Sequence, residues 1–303
     1  MASTEKHPEY PGRGQWRGIG ALILGVMILS TSIIIIKKSA LPPLQLTAYR
    51  LLFAAVILSP LLIRESRRLR GQFDLRTFGT GILPGICLAA HFVSWVLGAR
   101  ATETANASLI VNMSCIFLPF FLFLLAGERV QRREWVGTVV AILGVLTLVG
   151  SDLHFRSENL LGDGICFGSM LIFTLYLALT RKTARDSPSV WLYLPILYLS
   201  GSLSCFLVLI LLGHSLRIPN ETEWGYVIAI TLLPTVLGHS LLNRALKQFR
   251  GQVVGVFNQT QFIFAATLGF FFFGRIPPPL FYLAALLVVA GAIVVLTGKR
   301  DEA

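Results

Sequence analysis

Acidic residues are scarce in this sequence, with 15 Asp and Glu against 26 Lys and Arg in 303 residues. None lies deep in an apolar run; Glu103, Glu128, Glu158 and Asp163 all fall near the ends of such runs. A carboxylate proton relay through apolar segments is therefore not expected. Cysteine is also rare: Cys87, Cys115, Cys166 and Cys205 show no metal-ligand spacing and read as small buried hydrophobes, with no metal site. There is no phosphate-cradling glycine loop, no His-Glu-x-x-His and no Gly-x-Ser-x-Gly, and Gly238-His239-Ser240 lacks a third catalytic member. A nucleotide-driven pump, a zinc peptidase and a serine hydrolase thus miss their signatures. Ten-residue segments of alternating polarity are missing too, which argues against a β-barrel. The expectation is a protein that is not an enzyme and uses no cofactor.

What is abundant is apolar surface. With 54% hydrophobic residues, 14% charged residues and a mean hydropathy of +0.72, the chain has more apolar area than one soluble core can hide. Its solvent is lipid. A helix crossing the hydrocarbon needs roughly 20 apolar residues, and ten such runs are present. The first five are Gly18–Ile36, Leu44–Ile63, Thr77–Leu97, Asn106–Ala126 and Trp135–Val149. The second five are Leu160–Leu179, Val190–Leu212, Tyr226–Leu242, Val253–Phe273 and Leu280–Leu296. The predicted fold class is all-α integral membrane, because lipid requires each helix to satisfy its own backbone.

Charge orients the bundle. If the N-terminus is cytoplasmic, the inner segments hold about 19 basic residues and the outer loops about 6 by the positive-inside count. The inner groups include Arg64 to Arg76, Arg129 to Arg133, Arg181 to Arg185 and Arg244 to Arg250. Both termini are therefore expected in the cytoplasm. The net charge of +11 is a topology signal and implies no nucleic-acid partner.

The stretch from Ala90 to Gly150 recurs about 147 residues later, an offset at which Gly127 falls on Gly274, Gly144 on Gly291 and Asn112 on Gln259. His91 meets His239 after a one-residue shift. Five spans per copy is an odd number, so the second copy enters the membrane from the opposite side. The expected architecture is ten transmembrane helices in two inverted five-helix repeats, residues 18–150 and 151–298, with cytoplasmic tails at 1–17 and 299–303. Such inverted repeats support alternating access around a central site. No cleavable signal is visible.

Polar residues at membrane depth nominate the site. His91 and Trp95 share a face of the third span; Asn112 shares one with Ser108 and Cys115 on the fourth; His239 and Asn243 share one on the eighth; Tyr176 and Gln259 add single polar groups. In hydrocarbon these groups must find partners, either as glue between helices or as the lining of a wet cavity. The candidate substrate-binding set is His91, Trp95, Asn112, Tyr176, His239, Asn243 and Gln259. Inversion places His91 in the outer half and His239 in the inner half. Arg50 is expected to snorkel to the outer surface as a structural anchor. Ser30, Thr31 and Ser32 read as back-bonding hydroxyls, and Asn220-Glu221-Thr222 matches a glycosylation triplet.

The run Leu41-Pro42-Pro43-Leu44 through Ala48-Tyr49-Arg50-Leu51-Leu52-Phe53-Ala54-Ala55 resembles the second helix of the drug/metabolite transporter superfamily, EamA type. So do Gly127-Glu128-Arg129-Val130, Gly162-Asp163 through Thr180-Arg181-Lys182, and Leu237-Gly238-His239 with Asn243-Arg244-Ala245-Leu246. The similarity covers roughly Gly20 to Gly298. It implies a ten-helix secondary transporter that exports small metabolites such as amino acids, with a central cavity lined by helices 1, 3, 4, 6, 8 and 9. Where the family has prolines near Cys115 and Phe262, this chain has only Pro119, and Asn258-Gln259-Thr260-Gln261 stands where some relatives carry Gly-Glu-Pro. The partners implied are a small-molecule substrate and the lipid bilayer, as a monomer or homodimer in a bacterial cytoplasmic membrane. The alternative reading is a channel for small solutes, which would show unsaturable flux.

Overall fold

A computed structural model describes residues 13–69, 79–102, 104–152, 159–274 and 276–297. The tail at 1–12, the basic stretch Arg70 to Arg76, the loop around Arg156 and Glu158, Arg275 and the tail at 299–303 lie outside the described residues. Among the described residues all regular structure is helical. Nine helical segments there are long and apolar enough to cross a membrane, from Trp16–Lys38 to Pro279–Thr297. The remaining expected span, the fifth, lies in the helix Arg132–Asp152. It packs along its length against the tenth, Pro279–Thr297.

The repeat seen in the sequence reappears in the backbone. Gly127 and Gly274 both end their helices in the left-handed region, with φ of 63° and 65°, a conformation glycine adopts without a Cβ clash. The fourth span is interrupted between Thr104–Asn112 and Ser114–Ala126, and the ninth between Gly251–Asn258 and Gln261–Phe273. At the first break Met113 N–H donates to Ile110 and Ile116 N–H to Met113; at the second Thr260 N–H donates to Phe257 and Ile263 N–H to Thr260. These pairs correspond at the offset that aligns the two glycines. Each bond reaches three residues back, a local 3₁₀ tightening that ends one α-segment and starts another.

The first span also breaks, between Arg13–Leu29 and Ser32–Lys38. Here the back-bonding read from the sequence is present: Ser30 Oγ donates to the Met27 carbonyl (2.5 Å) and Thr31 Oγ1 to that of Ile28 (2.8 Å). Hydroxyls that occupy these carbonyls compete with the helical ladder. In the eighth span the interruption is a π-helix, Thr231–His239, between Glu221–Ile230 and Ser240–Gln248. Pro234 has no N–H to offer the Ile230 carbonyl four residues back, and the Thr235 hydroxyl donates to it instead (2.7 Å). The triplet at Asn220 has a local role as well, since the Asn220 side chain caps the eighth span by accepting from Glu223 N–H (2.9 Å).

Small residues bring the helices together, as expected where lipid provides no hydrophobic drive between them. A Cβ on Gly85 would sit 2.1 Å from the Leu197 carbonyl oxygen, so the third and seventh spans touch backbone to backbone there. By contrast Gly164 has open space around it. Gly85→Ala should therefore lower stability by about 1–3 kcal/mol through overpacking while Gly164→Ala is near neutral, a difference readable as thermal loss of the monodisperse peak in detergent. Equal stability of the two variants would contradict the close crossing. Outward-facing Phe120, Leu124, Leu207, Ile210 and Leu286 remain exposed, an apolar belt that fits a lipid surround and not water.

Candidate functional site

The interruptions converge on one cavity of about 50 Å³, room for a few water molecules. The first span contributes Leu29, Ser30, Ser32 and Ile33 from either side of its break; the fourth gives Val111 and Asn112, and the ninth Asn258, Gln261, Phe262 and Ala265. The third span adds His91, Phe92 and Trp95, the sixth Phe173 and the eighth His239. The lining thus comes from spans 1, 3, 4, 6, 8 and 9, and it holds no Asp, Glu, Lys or Arg. It offers ring faces, two imidazoles and several amides and hydroxyls, a set suited to binding an amphipathic molecule by stacking and hydrogen bonds.

Four of the seven residues nominated from the sequence, His91, Trp95, Asn112 and His239, border this cavity. His91 Nδ1 lies 3.0 Å from the Ser169 carbonyl and 2.9 Å from its hydroxyl, and that hydroxyl donates to the His91 carbonyl (3.0 Å). The arrangement holds the imidazole across to the sixth span. His239 packs edge-on against Phe92, at 5.1 Å between centroids, and Phe173 contacts both histidines. The two imidazoles therefore flank one cavity. The other three nominees stand behind the wall. Asn243 Nδ2 donates to the Tyr176 hydroxyl and to the His239 carbonyl, both at 2.7 Å, which fixes the base of the His239 segment. Gln259 is fully buried with neither amide atom partnered, while its neighbour Asn258 takes the place on the cavity.

Arg50 requires a correction. It does not snorkel: the side chain is 1% exposed, in the bundle interior. Its Nε–H donates to Thr235 Oγ1 (2.9 Å), and the guanidinium carbon lies 3.7 Å from the centroid of Phe92. The Tyr198 hydroxyl donates to the Thr235 carbonyl (3.1 Å). Pro234, Thr235 and Arg50 thus form one connected unit, in which the proline frees a carbonyl, the threonine occupies it and the same threonine oxygen accepts from the arginine.

Polar collars tie the bundle together at its two ends. At the end where the first span begins, Glu128 accepts from Arg181 Nε (2.7 Å) and from Gly251 N–H (2.8 Å), while Arg250 Nε donates to fully buried Glu134 (2.5 Å). Burial alone would lower the Arg250 guanidinium, yet the Glu134 and Glu128 carboxylates beside it hold it above its ordinary value. At the opposite end Glu223 accepts from Ser39 Oγ (2.6 Å) and Ala40 N–H (2.8 Å), Arg100 donates to the Ser39 and Leu41 carbonyls, and Thr102 Oγ1 donates to Asp163 (2.6 Å). Each collar ties residues of the first five spans to residues of the second five. Among the described residues no group of His, Cys, Asp and Glu has the composition of a metal site.

Comparison with known proteins fits this architecture. The model of the EamA-like transporter family matches twice, over residues 16–150 and 160–297. An uncharacterized transporter of Archaeoglobus fulgidus is 25% identical over 260 residues, 85% of this chain and 88% of that protein. The pseudopaline exporter CntI of Pseudomonas aeruginosa is 22% identical over 65% of this chain and 67% of its own length, and solute carrier family 35 member G1 of Mus musculus is 21% identical over 89% and 76%. A crystal structure sharing 19% identity superposes with a TM-score of 0.72 over 95% of this chain and 99% of that one, which makes the fold common to both. With the family model matched over both halves of the chain, this chain belongs to the EamA-like transporter family.

Proposed function

We propose that this protein is a secondary transporter that exports a small amphipathic metabolite by alternating access, and that His91, Trp95, Asn112 and His239 contact the cargo while Tyr176, Asn243 and Gln259 support them from behind. The observation that carries the reading is the cavity at the paired breaks of the fourth and ninth spans, which lies between two collars that each join one half of the molecule to the other. Irregular backbone at membrane depth is tolerated where it lines a cavity, and discontinuous helices at a midplane site recur among carriers built from inverted repeats. Polar contacts that join the two halves at both ends favour a carrier over an open channel. The export direction is supported by the relative named as a pseudopaline exporter. The cytoplasmic placement of both termini is supported by the basic excess at one end of the bundle; reporter fusions at Arg250 and Glu221 should read inside and outside, and the reverse would overturn it.

Counterflow in proteoliposomes tests the function. A panel of radiolabelled amino acids, nucleosides, organic acids and amphipathic cations should contain a class whose uptake saturates and is accelerated by unlabelled compound on the other side. Trp95→Phe should then change the half-saturating concentration more than the amount of folded protein. Flux that never saturates would favour a pore, and no counterflow by any class would contradict the carrier.

A further inference from the structure

Among the described residues the charge of Arg50 has no counterpart. A guanidinium carries five N–H donors and remains ionised. In this chain Nε is used by Thr235, but neither terminal nitrogen of Arg50 has a hydrogen-bond partner, although both are buried. Among the described residues no carboxylate pairs with it; the acidic groups with ionic partners sit in the collars or near helix ends. What covers the guanidinium is the face of Phe92 at 3.7 Å, and Phe92 itself lines the cavity beside His91 and His239. A cation–π contact offsets part of the desolvation of a buried cation. It leaves four donors unanswered, and a charge in this environment is costly unless an anion completes it.

We infer that the missing anion arrives with the cargo: Arg50 is the anchor for a carboxylate of the transported molecule, and Phe92 is the movable cover between guanidinium and cavity. Turning the Phe92 ring aside exposes the two free nitrogens, whose fork matches the two oxygens of a carboxylate. The imidazoles and ring faces around the cavity then hold the remainder of the molecule. The cargo class is accordingly a small organic acid or an amino acid bearing a free carboxylate, and amphipathic cations are disfavoured. This inference rests on the carrier reading for its biological sense, but binding can be measured without transport.

The test uses the purified full chain in lipid nanodiscs and its melting temperature with matched pairs of compounds: phenylacetate and phenylacetamide, glutamate and glutamine, succinate and succinamide, with chloride and inorganic phosphate as simple anions. At least one acid should stabilise saturably while its amide and the simple anions do not. Arg50→Gln should weaken that acid by about 30-fold or more, the scale for truncating one partner of a buried charge pair. Arg50→Lys should restore part of the loss. Phe92→Ala, which removes the cover and leaves the charge, should tighten the acid, a change that a merely structural arginine does not produce. Equal stabilisation by acid and amide, an equal effect of chloride, no effect of any acid, or unchanged binding in Arg50→Gln would each overturn the inference. Should Arg50→Gln fail to fold, the acid–amide comparison on the unaltered protein and the Phe92→Ala result decide it. Saturable counterflow without preference for acids rejects the anchor and keeps the carrier; acid binding without counterflow does the reverse.

Discussion

Glu128→Ala should be among the most damaging single substitutions in the chain, lowering stability by about 3–5 kcal/mol. The residue is buried and answers three groups from the second half of the molecule: Arg181, the Gly251 amide and, at 4.0 Å, Arg250. Removing the carboxylate leaves Arg181 and the amide buried without it, so the loss includes their desolvation and exceeds the value of the pair alone. Glu65→Ala is the control. Its partner Arg68 is 67% exposed and lies one turn along the same helix, where an ion pair contributes about 0–1 kcal/mol. The melting temperatures of the two variants in detergent check the contrast; a similar small drop for both would mean that the collar does not hold the two halves together.

Thr235→Val should have the second large effect. Valine keeps the shape of the side chain and removes an oxygen that donates to Ile230 and accepts from Arg50. The guanidinium then has no hydrogen bond at all, and leaving a buried charged donor unanswered costs roughly 3 kcal/mol or more. Thr235→Ser restores the oxygen and should return most of the stability. If valine is tolerated as well as serine, the connected unit of Pro234, Thr235 and Arg50 is not what holds the π-helical segment in place.

Much of this architecture was legible in the chain because its causes are local. Run length sets the spans, and the left-handed glycines at Gly127 and Gly274 mark equivalent helix ends. The breaks were less legible. Each depends on a few backbone bonds shifting from four residues back to three, which hydropathy does not register. The consequence for the site is visible at Asn258 and Gln259. Asn258 borders the cavity and Gln259 does not, although Asn112, at the position equivalent to Gln259, does. Arg50 was misread for a different reason. Its distance from the end of the second span suggested an escape to water, but whether that route is open depends on what covers it. Gln45 bonded to the Arg217 carbonyl (2.8 Å) and Glu223 bonded to Ser39 cap that end, contacts between residues more than 170 positions apart.

The central claim is that the two collars open alternately around one cavity. Paired spin labels measured by double electron–electron resonance in nanodiscs test it, with Arg129→Cys and Lys182→Cys across the collar near the start of the first span, and Lys38→Cys and Leu216→Cys across the opposite one, each in a chain whose native cysteines are replaced. Both pairs should be short in the unaltered background. Adding Glu128→Ala should lengthen the first pair while the second stays short. Lengthening of both pairs together would describe an open pore, and a first pair that does not respond to loss of Glu128 would contradict the collar as the gate.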